Sequence, residues 1–214
     1  MKAWGTALVC ALLFTGIAWW MRMEKTTALD QAVKEALGGQ AGEEPGAFLL
    51  ALNGLGSTAV FGGVTLVVTL LAWLLRLRKE AVAIIGSVLA AWLLNTGLKV
   101  LFERERPVHE SWIAVDGYSF PSGNAMIGMA LYGMLIVVVW NVAYSGWVRW
   151  TAAGVGTLLI ALIGYSRIYF GVHYATDIAA GYAAGLCCVA VFTGALNLSR
   201  GVSSRRRRSY PSFP

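Results

Sequence analysis

Six apolar runs, at about 5–20, 57–75, 81–98, 124–143, 151–166 and 174–196, divide the chain, and polar residues gather between them. Each is long enough, or nearly so, to cross a bilayer core as a helix, which takes about 20 apolar residues. Between the first two runs lies a more polar segment, about 22–56. Within it LDQAVKEAL sets Leu29, Ala32, Val33, Ala36 and Leu37 on one helical face, with Gly38-Gly39 as a stop. This predicts a short amphipathic helix, either lying on the membrane surface or packed over the outer ends of the bundle. The predicted fold is all-α: an integral membrane bundle of six transmembrane helices, in a single domain over 1–214, with that amphipathic helix on the outer face.

Composition agrees with the pattern. The 214 residues are 57% hydrophobic and 13% charged, with a mean hydropathy of +0.64, whereas a soluble domain carries roughly a quarter charged residues. The net charge of +6 would suit nucleic acid, but its distribution points to membrane topology. Alternating the six spans places Lys2, Arg76, Arg78, Lys79, Arg149, Arg200 and Arg205 to Arg208 on one face, with Glu80 as the single acid there. The positive-inside rule assigns that face to the cytoplasm, with both termini. The basic tail over 200–214 is then a topology anchor and a contact for anionic lipid, and no nucleic-acid partner is expected. Trp4, Trp19, Trp20, Trp140, Trp147 and Trp150 fall near span ends, as an aromatic belt requires. The first run has only Lys2 ahead of it and ends without a small-residue cleavage pattern, so it is expected to be a retained helix rather than a signal peptide. Cys10, Cys187 and Cys188 all lie in apolar runs without metal-ligand or disulfide spacing, and are read as buried thiols.

Candidate chemistry sits where spans meet the outer face. The third span runs into KVLFERERP, Lys99 to Pro107; the next loop carries GYSFPSGN, 117–124; the fifth span ends at Ser166-Arg167, leading into His173 and Asp177. Ionisable residues at such depth are costly and usually functional. Lys99, Arg106 and Arg167 suit a tetrahedral phosphate, arginine by bidentate donors and lysine by a compact charge. Ser122 and Gly123 open a helix whose N–H groups point outward, a cradle for an anion. His173 and Asp177 are four apart, so the carboxylate can hold one imidazole nitrogen and leave the other free as a nucleophile. The same spacing also serves a core histidine bonded to a helical aspartate. Arg104, between Glu103 and Glu105, reads as a solvated loop charge.

Together these residues give the chain a close resemblance to the type-2 phosphatidic acid phosphatase superfamily, the lipid phosphate phosphatases. That family is marked by K-x6-R-P, P-S-G-H and S-R-x5-H-x3-D. Here the motifs appear as Lys99 with Arg106-Pro107, as Pro121-Ser122-Gly123-Asn124, and as Ser166-Arg167 with His173 and Asp177. The resemblance implies that Lys99, Arg106, Ser122, Gly123 and Arg167 bind phosphate. It also implies that His173 forms a phosphohistidine oriented by Asp177, with no metal or other cofactor.

One position departs. Asn124 stands where the family has the histidine that protonates the leaving oxygen, and an amide cannot act as that acid. General-acid help is worth roughly 10²–10⁴ in rate, most for an alkoxide leaving group and less for a phosphate. His109, two residues past Pro107, is one candidate substitute, water another; a slowed enzyme and a site that only binds are the remaining readings.

The expected function is dephosphorylation of a lipid phosphate at the outer leaflet of the cell membrane, with the head group entering laterally between helices. Phosphatidylglycerophosphate is favoured, because the resemblance is nearest to the bacterial phosphatidylglycerophosphatase B type. Undecaprenyl pyrophosphate is the alternative, and Asn124 favours it. A catalytically disabled lipid-phosphate binding protein is the rival from another class.

Overall fold

The computed structural model describes residues 2–39, 44–107, 113 and 115–208. Its elements are helices: α1 (Lys2–Arg22), α2 (Thr27–Leu37), α3 (Ala47–Leu55), α4 (Thr58–Leu74), α5 (Arg78–Phe102), α6 (Gly123–Val142), α7 (Gly146–Tyr169) and α8 (Ala175–Arg208). Five of them, α1 and α5 to α8, are long and apolar enough to cross a membrane. At 1.5 Å per residue, the 21 residues of α1 extend about 30 Å. The sixth expected span differs from a straight helix over 57–75. It is the pair α3 and α4, bent by 58° at a break, and α4 alone has 17 residues.

The bend has a local cause. Ser57 caps α4 by accepting from the Val60 N–H at 3.3 Å, which starts a new helix. Gly56 just before it lies so close to α6 and α7 that a Cβ there would sit 2.9 Å from Asn124 Nδ2 and 3.2 Å from Ile163 Cγ2. Only glycine lets this corner reach the bundle.

Helices α6 and α8 form the axis. The former packs on α4, α5, α7 and α8, and the latter on α1, α2, α5, α6 and α7. Small residues let the two approach: a Cβ on Gly185 would lie 2.4 Å from the Met126 carbonyl oxygen, which is backbone and cannot swing away. Gly185→Ala is therefore expected to lower stability by about 1–3 kcal/mol through overpacking, read as a lower thermal unfolding midpoint in detergent.

An aromatic triad closes one end of the bundle. Phe14, Phe102 and Phe120 meet at centroid distances of 5.0–6.2 Å, and fully buried Phe120 fastens the loop before α6 onto α1 and α5. At the other end Glu80 is ion-paired with Arg200 at 2.5 Å, tying α5 to α8. Trp4, Trp19, Trp20, Trp140, Trp147 and Trp150 are all exposed, as interfacial residues of a bilayer protein are. Cys10 and Cys188 are buried thiols, while Cys187 is only half-buried.

The segment 22–56, within which one short amphipathic helix was expected, holds two helices, α2 and α3. Gly38 ends α2 as expected, its N–H bonded to the Lys34 carbonyl. The way α2 docks was not expected. Leu29 and Leu37 of its apolar face stay exposed, and the residue it buries is Asp30.

Candidate active site

Helix α5 ends because Glu103 adopts a left-handed conformation at φ 47°, its N–H returning to the Lys99 carbonyl. This turn sends Arg104 inward and delivers Arg106 to the loop before α6. Lys99 Nζ donates to the Tyr118 carbonyl at 2.7 Å. Arg106 donates to the carbonyls of Gly117 and Val172 at 2.9 and 2.8 Å, and more weakly to those of Asp116 and Tyr118. Two cations from the first motif thus hold the second and third motifs' loops together by backbone oxygens.

Ser122 is fully buried. Its N–H donates to the Asp177 carbonyl at 3.1 Å, which locks the start of α6 to the first turn of α8. Its hydroxyl has no protein partner. Gly123 faces Asn95, whose Oδ1 would lie 3.0 Å from a Cβ there, and whose amide donates to the Pro121 carbonyl at 3.1 Å. On the opposite wall Arg167, 5% exposed, donates through Nη2 to Asn53 Oδ1, while its Nε has no protein partner.

The loop after α7 brings in His173, which is 5% exposed. Its Nε2 faces Arg106 Nη1 at 3.4 Å. A guanidinium can only donate, so Nε2 presents its lone pair and the ring proton sits on Nδ1. Nδ1 lies 3.5 Å from Asp177 Oδ2, too long and poorly aligned for a full hydrogen bond; such contacts commonly tighten once substrate binds. Burial pushes the His173 pKa down to about 4, against the opposing pull of Asp177 and with help from Arg106 and Lys99. The imidazole is neutral at physiological pH, the state a nucleophile needs. Burial also draws Arg106 below its ordinary value, opposed by Asp177 and Asp116.

Asp177 is fully buried and engaged at both oxygens. Oδ2 accepts from the Ser119 hydroxyl and from the Tyr174 N–H at 2.9 Å. Oδ1 accepts from Arg104 Nη1 at 2.6 Å. Arg104 is therefore not the solvated loop charge the sequence suggests. Its side chain is 14% exposed and also pairs with Asp30 Oδ2 at 2.7 Å; two buried carboxylates on distant segments draw it in.

The structure brings Lys99, Arg106, Ser122, Gly123, Arg167, His173 and Asp177 to the end of the bundle closed by the phenylalanine triad. Asn124 is in the first turn of α6 beside them, its amide donating to the Gly56 carbonyl at the α3–α4 corner. His109 lies outside the described residues. Sequence reasoning did not find Ser119, Asp30, Asn53 or Thr176. The one available signal was Thr176's place beside Asp177; the others are single polar residues without spacing to mark them.

Lys99, Arg104, Arg106 and Arg167 stand against the carboxylates of Asp30 and Asp177. The excess of positive charge, with orphaned donors on Ser122 and Arg167, is what a phosphate dianion would satisfy. Among the described residues, no three His, Cys, Asp or Glu side chains converge as a metal-ligand set would.

The model of the PAP2 superfamily matches residues 80–200, which hold all three motifs. A phosphatidylglycerophosphatase B of Bacillus subtilis is 32% identical over 95 residues, 44% of this chain and 47% of that protein. A lipid A 4'-phosphatase of Porphyromonas gingivalis is 36% identical over 125 residues, 50% of this chain and 49% of that protein. The chain thus spans about half the length of both. In three dimensions it resembles the transmembrane PAP2-type phosphatidylglycerolphosphate phosphatase of B. subtilis, with a TM-score of 0.79 at 21% identity over 88% of this chain and 94% of that one. It also resembles LpxE of Aquifex aeolicus, with a TM-score of 0.60 at 21% identity over 78% and 93%. These structural likenesses speak to the fold.

Proposed function

This chain belongs to the PAP2 superfamily, and from that premise we propose that it is a membrane lipid phosphate phosphatase working through a phosphohistidine on His173. The observation that carries the reading is the buried, neutral imidazole whose Nε2 lone pair faces Arg106 while Nδ1 faces Asp177. In the proposed reaction Nε2 attacks phosphorus in line as the bond to the lipid oxygen breaks. Asp177 steadies the positive charge that develops on the ring. Lys99, Arg106, Arg167, the Ser122 hydroxyl and the N–H groups at the start of α6 hold the phosphoryl oxygens. The leaving oxygen takes its proton from water, since Asn124 has none to give as an acid. A second water then attacks phosphorus and passes a proton to the hydroxide left by the first, the P–N bond breaks, and inorganic phosphate departs with His173 regenerated.

A lipid substrate fits the surroundings. A cavity of about 260 Å³ opens between α4, α5 and α6, lined by Phe61, Thr65, Val88, Trp92 and Ile127. Ile127 is one turn beyond Asn124, so an acyl chain in that groove would bring its head group beside the cradle. Phosphatidylglycerophosphate is the substrate we favour, on the B. subtilis relative. Undecaprenyl pyrophosphate is kept as the second reading, because at Asn124 a phosphate leaves more readily than an alkoxide. We place the site on the outer face of the cell membrane with both termini in the cytoplasm, on the charge asymmetry of the loops.

The test is phosphate release from each lipid by the purified protein in detergent, with a chelator present. Turnover that survives the chelator and leaves an acid-labile phosphoenzyme supports the reading; turnover that needs added metal overturns it. The pH dependence checks the nucleophile. With His173 titrating at about 4, kcat/KM corrected for substrate ionisation should stay level down to roughly pH 5 and fall below it. A midpoint near 6.5 would show an exposed, ordinary imidazole. The same shift acts on stability. Between pH 6.5 and about 4 the unfolded chain takes up a proton that folded His173 refuses, so this group makes folding less favourable as pH falls through that window.

A further inference from the structure

Three segments far apart in the chain meet behind Asp177. Asp30 of α2 accepts the Thr176 N–H on Oδ1 at 3.0 Å and the Thr176 hydroxyl on Oδ2 at 2.9 Å. Its Oδ2 also accepts from Arg104 Nη2 at 2.7 Å. Arg104 Nη1 in turn donates to Asp177 Oδ1 at 2.6 Å and to the Thr176 hydroxyl at 2.8 Å, and its guanidinium lies 4.0 Å from the centre of the Tyr174 ring. Asp30, Thr176 and Asp177 are 3%, 4% and 0% exposed, so the network is shielded from water.

Two consequences follow from this geometry. The Thr176 N–H belongs to the first turn of α8, which has no acceptor within its own helix; Asp30 supplies one from another element, fixing the turn that carries Asp177. Secondly, one guanidinium is shared by two carboxylates. If Arg104 paired with Asp177 alone, it would cancel the charge that must steady the ring at His173. With Asp30 present, the three groups keep one net negative charge, next to Nδ1.

We infer that Asp30, acting through Arg104, is a positioning residue for the reaction at His173: it sets the orientation and the effective charge of Asp177 from helix α2. The inference rests on the proposed function and names residues outside the three motifs' signature positions. The other charges around the ring are Lys99 on α5 and Arg106 on the following loop, with Arg167 at the end of α7 beside Arg106. None of them bonds to Asp30.

The experiment uses the full chain in detergent with a short-chain phosphatidylglycerophosphate. It compares Asp30→Asn, Asp30→Glu and Arg104→Gln with the unaltered protein and His173→Ala. Asp30→Asn is expected to lower kcat about 10- to 100-fold, as loss of an outer orienting group does, with KM little changed. Its acid limb in kcat/KM should move to lower pH, because a negative charge is lost. Arg104→Gln should move that limb to higher pH, because a positive charge is lost. The substrate is common to all, so its own ionisation cancels. Opposite movements of the limb are not produced by loosened packing. Asp30→Glu keeps the charge and is expected to hold the limb in place and recover much of kcat, also where Asp30→Asn proves too unstable to assay. Wild-type kcat in Asp30→Asn, limbs that move together, or Asp30→Glu with a displaced limb would each overturn the inference. An active His173→Ala would overturn the phosphohistidine mechanism on which the inference rests; a dead His173→Ala beside an unaltered Asp30→Asn overturns the inference alone.

Discussion

Replacing His173 by alanine is expected to abolish phosphate release, lowering the rate by roughly 10⁴-fold or more. Nε2 is the nucleophile in the proposed reaction, and among the described residues no neighbouring group can take its place. Arg106, Lys99 and Arg167 are cations, and the Asp177 carboxylate is bonded to Arg104, Ser119 and Tyr174. The cradle itself survives the change, since Lys99 and Arg106 are held by backbone carbonyls rather than by the ring. Alanine at 173 should therefore still bind a lipid phosphate while failing to form an acid-labile phosphoenzyme. Phosphate release measured beside lipid binding separates the two. Wild-type turnover in this variant would end the phosphohistidine mechanism, and binding without turnover in the unaltered chain would favour the binding-protein reading.

Asn124→His is expected to raise kcat on a phosphomonoester lipid by about 10²-fold, the lower end of what general-acid help supplies. The lower end is chosen because the Asn124 amide is bonded to the Gly56 carbonyl, and an imidazole must give up or replace that bond to reach the leaving oxygen. On a diphosphate lipid the same change should do far less, because the departing phosphate is already a weak base. The ratio of the two effects, read from initial rates on both lipids, identifies the substrate class this chain suits. A large gain on the monoester alone means that the unaltered site is poorly fitted to an alkoxide. Equal small effects would mean that protonation of the leaving group does not limit turnover and that water suffices.

Much of this molecule was legible without coordinates. The six apolar runs predicted the membrane helices because burial in lipid leaves a composition signal along the whole length of a span. Asn53 shows where that signal stops. It belongs to α3, inside a segment where only one helix, over LDQAVKEAL, was expected; the hydropathy boundary at 56–57 does not show that a separate helix, bent by 58° from α4, precedes it. The three motifs likewise named the cluster of Lys99, Arg106, Ser122, Arg167, His173 and Asp177, because catalysis demands particular residue types at set positions on helix ends.

Arg104 illustrates what could not be read. In Glu103-Arg104-Glu105 every local cue describes a loop charge facing water, with carboxylates on either side. Its actual partners, Asp30 and Asp177, are 74 and 73 residues away, and an ion pair between distant segments leaves no period in the sequence. Asp30 misleads in the opposite sense: on an amphipathic helix a carboxylate belongs to the wet face, yet here it is the residue the helix buries. The sequence by itself determined the class of fold, the family and the residues proposed to carry the chemistry, because each depends on local composition and spacing. Only the tertiary structure decided which nitrogen of His173 faces Asp177 and which faces Arg106, which carboxylate shares the charge of Arg104 and that α2 is fastened to the site. Those depend on where the bundle sets distant side chains and on how little water it leaves between them.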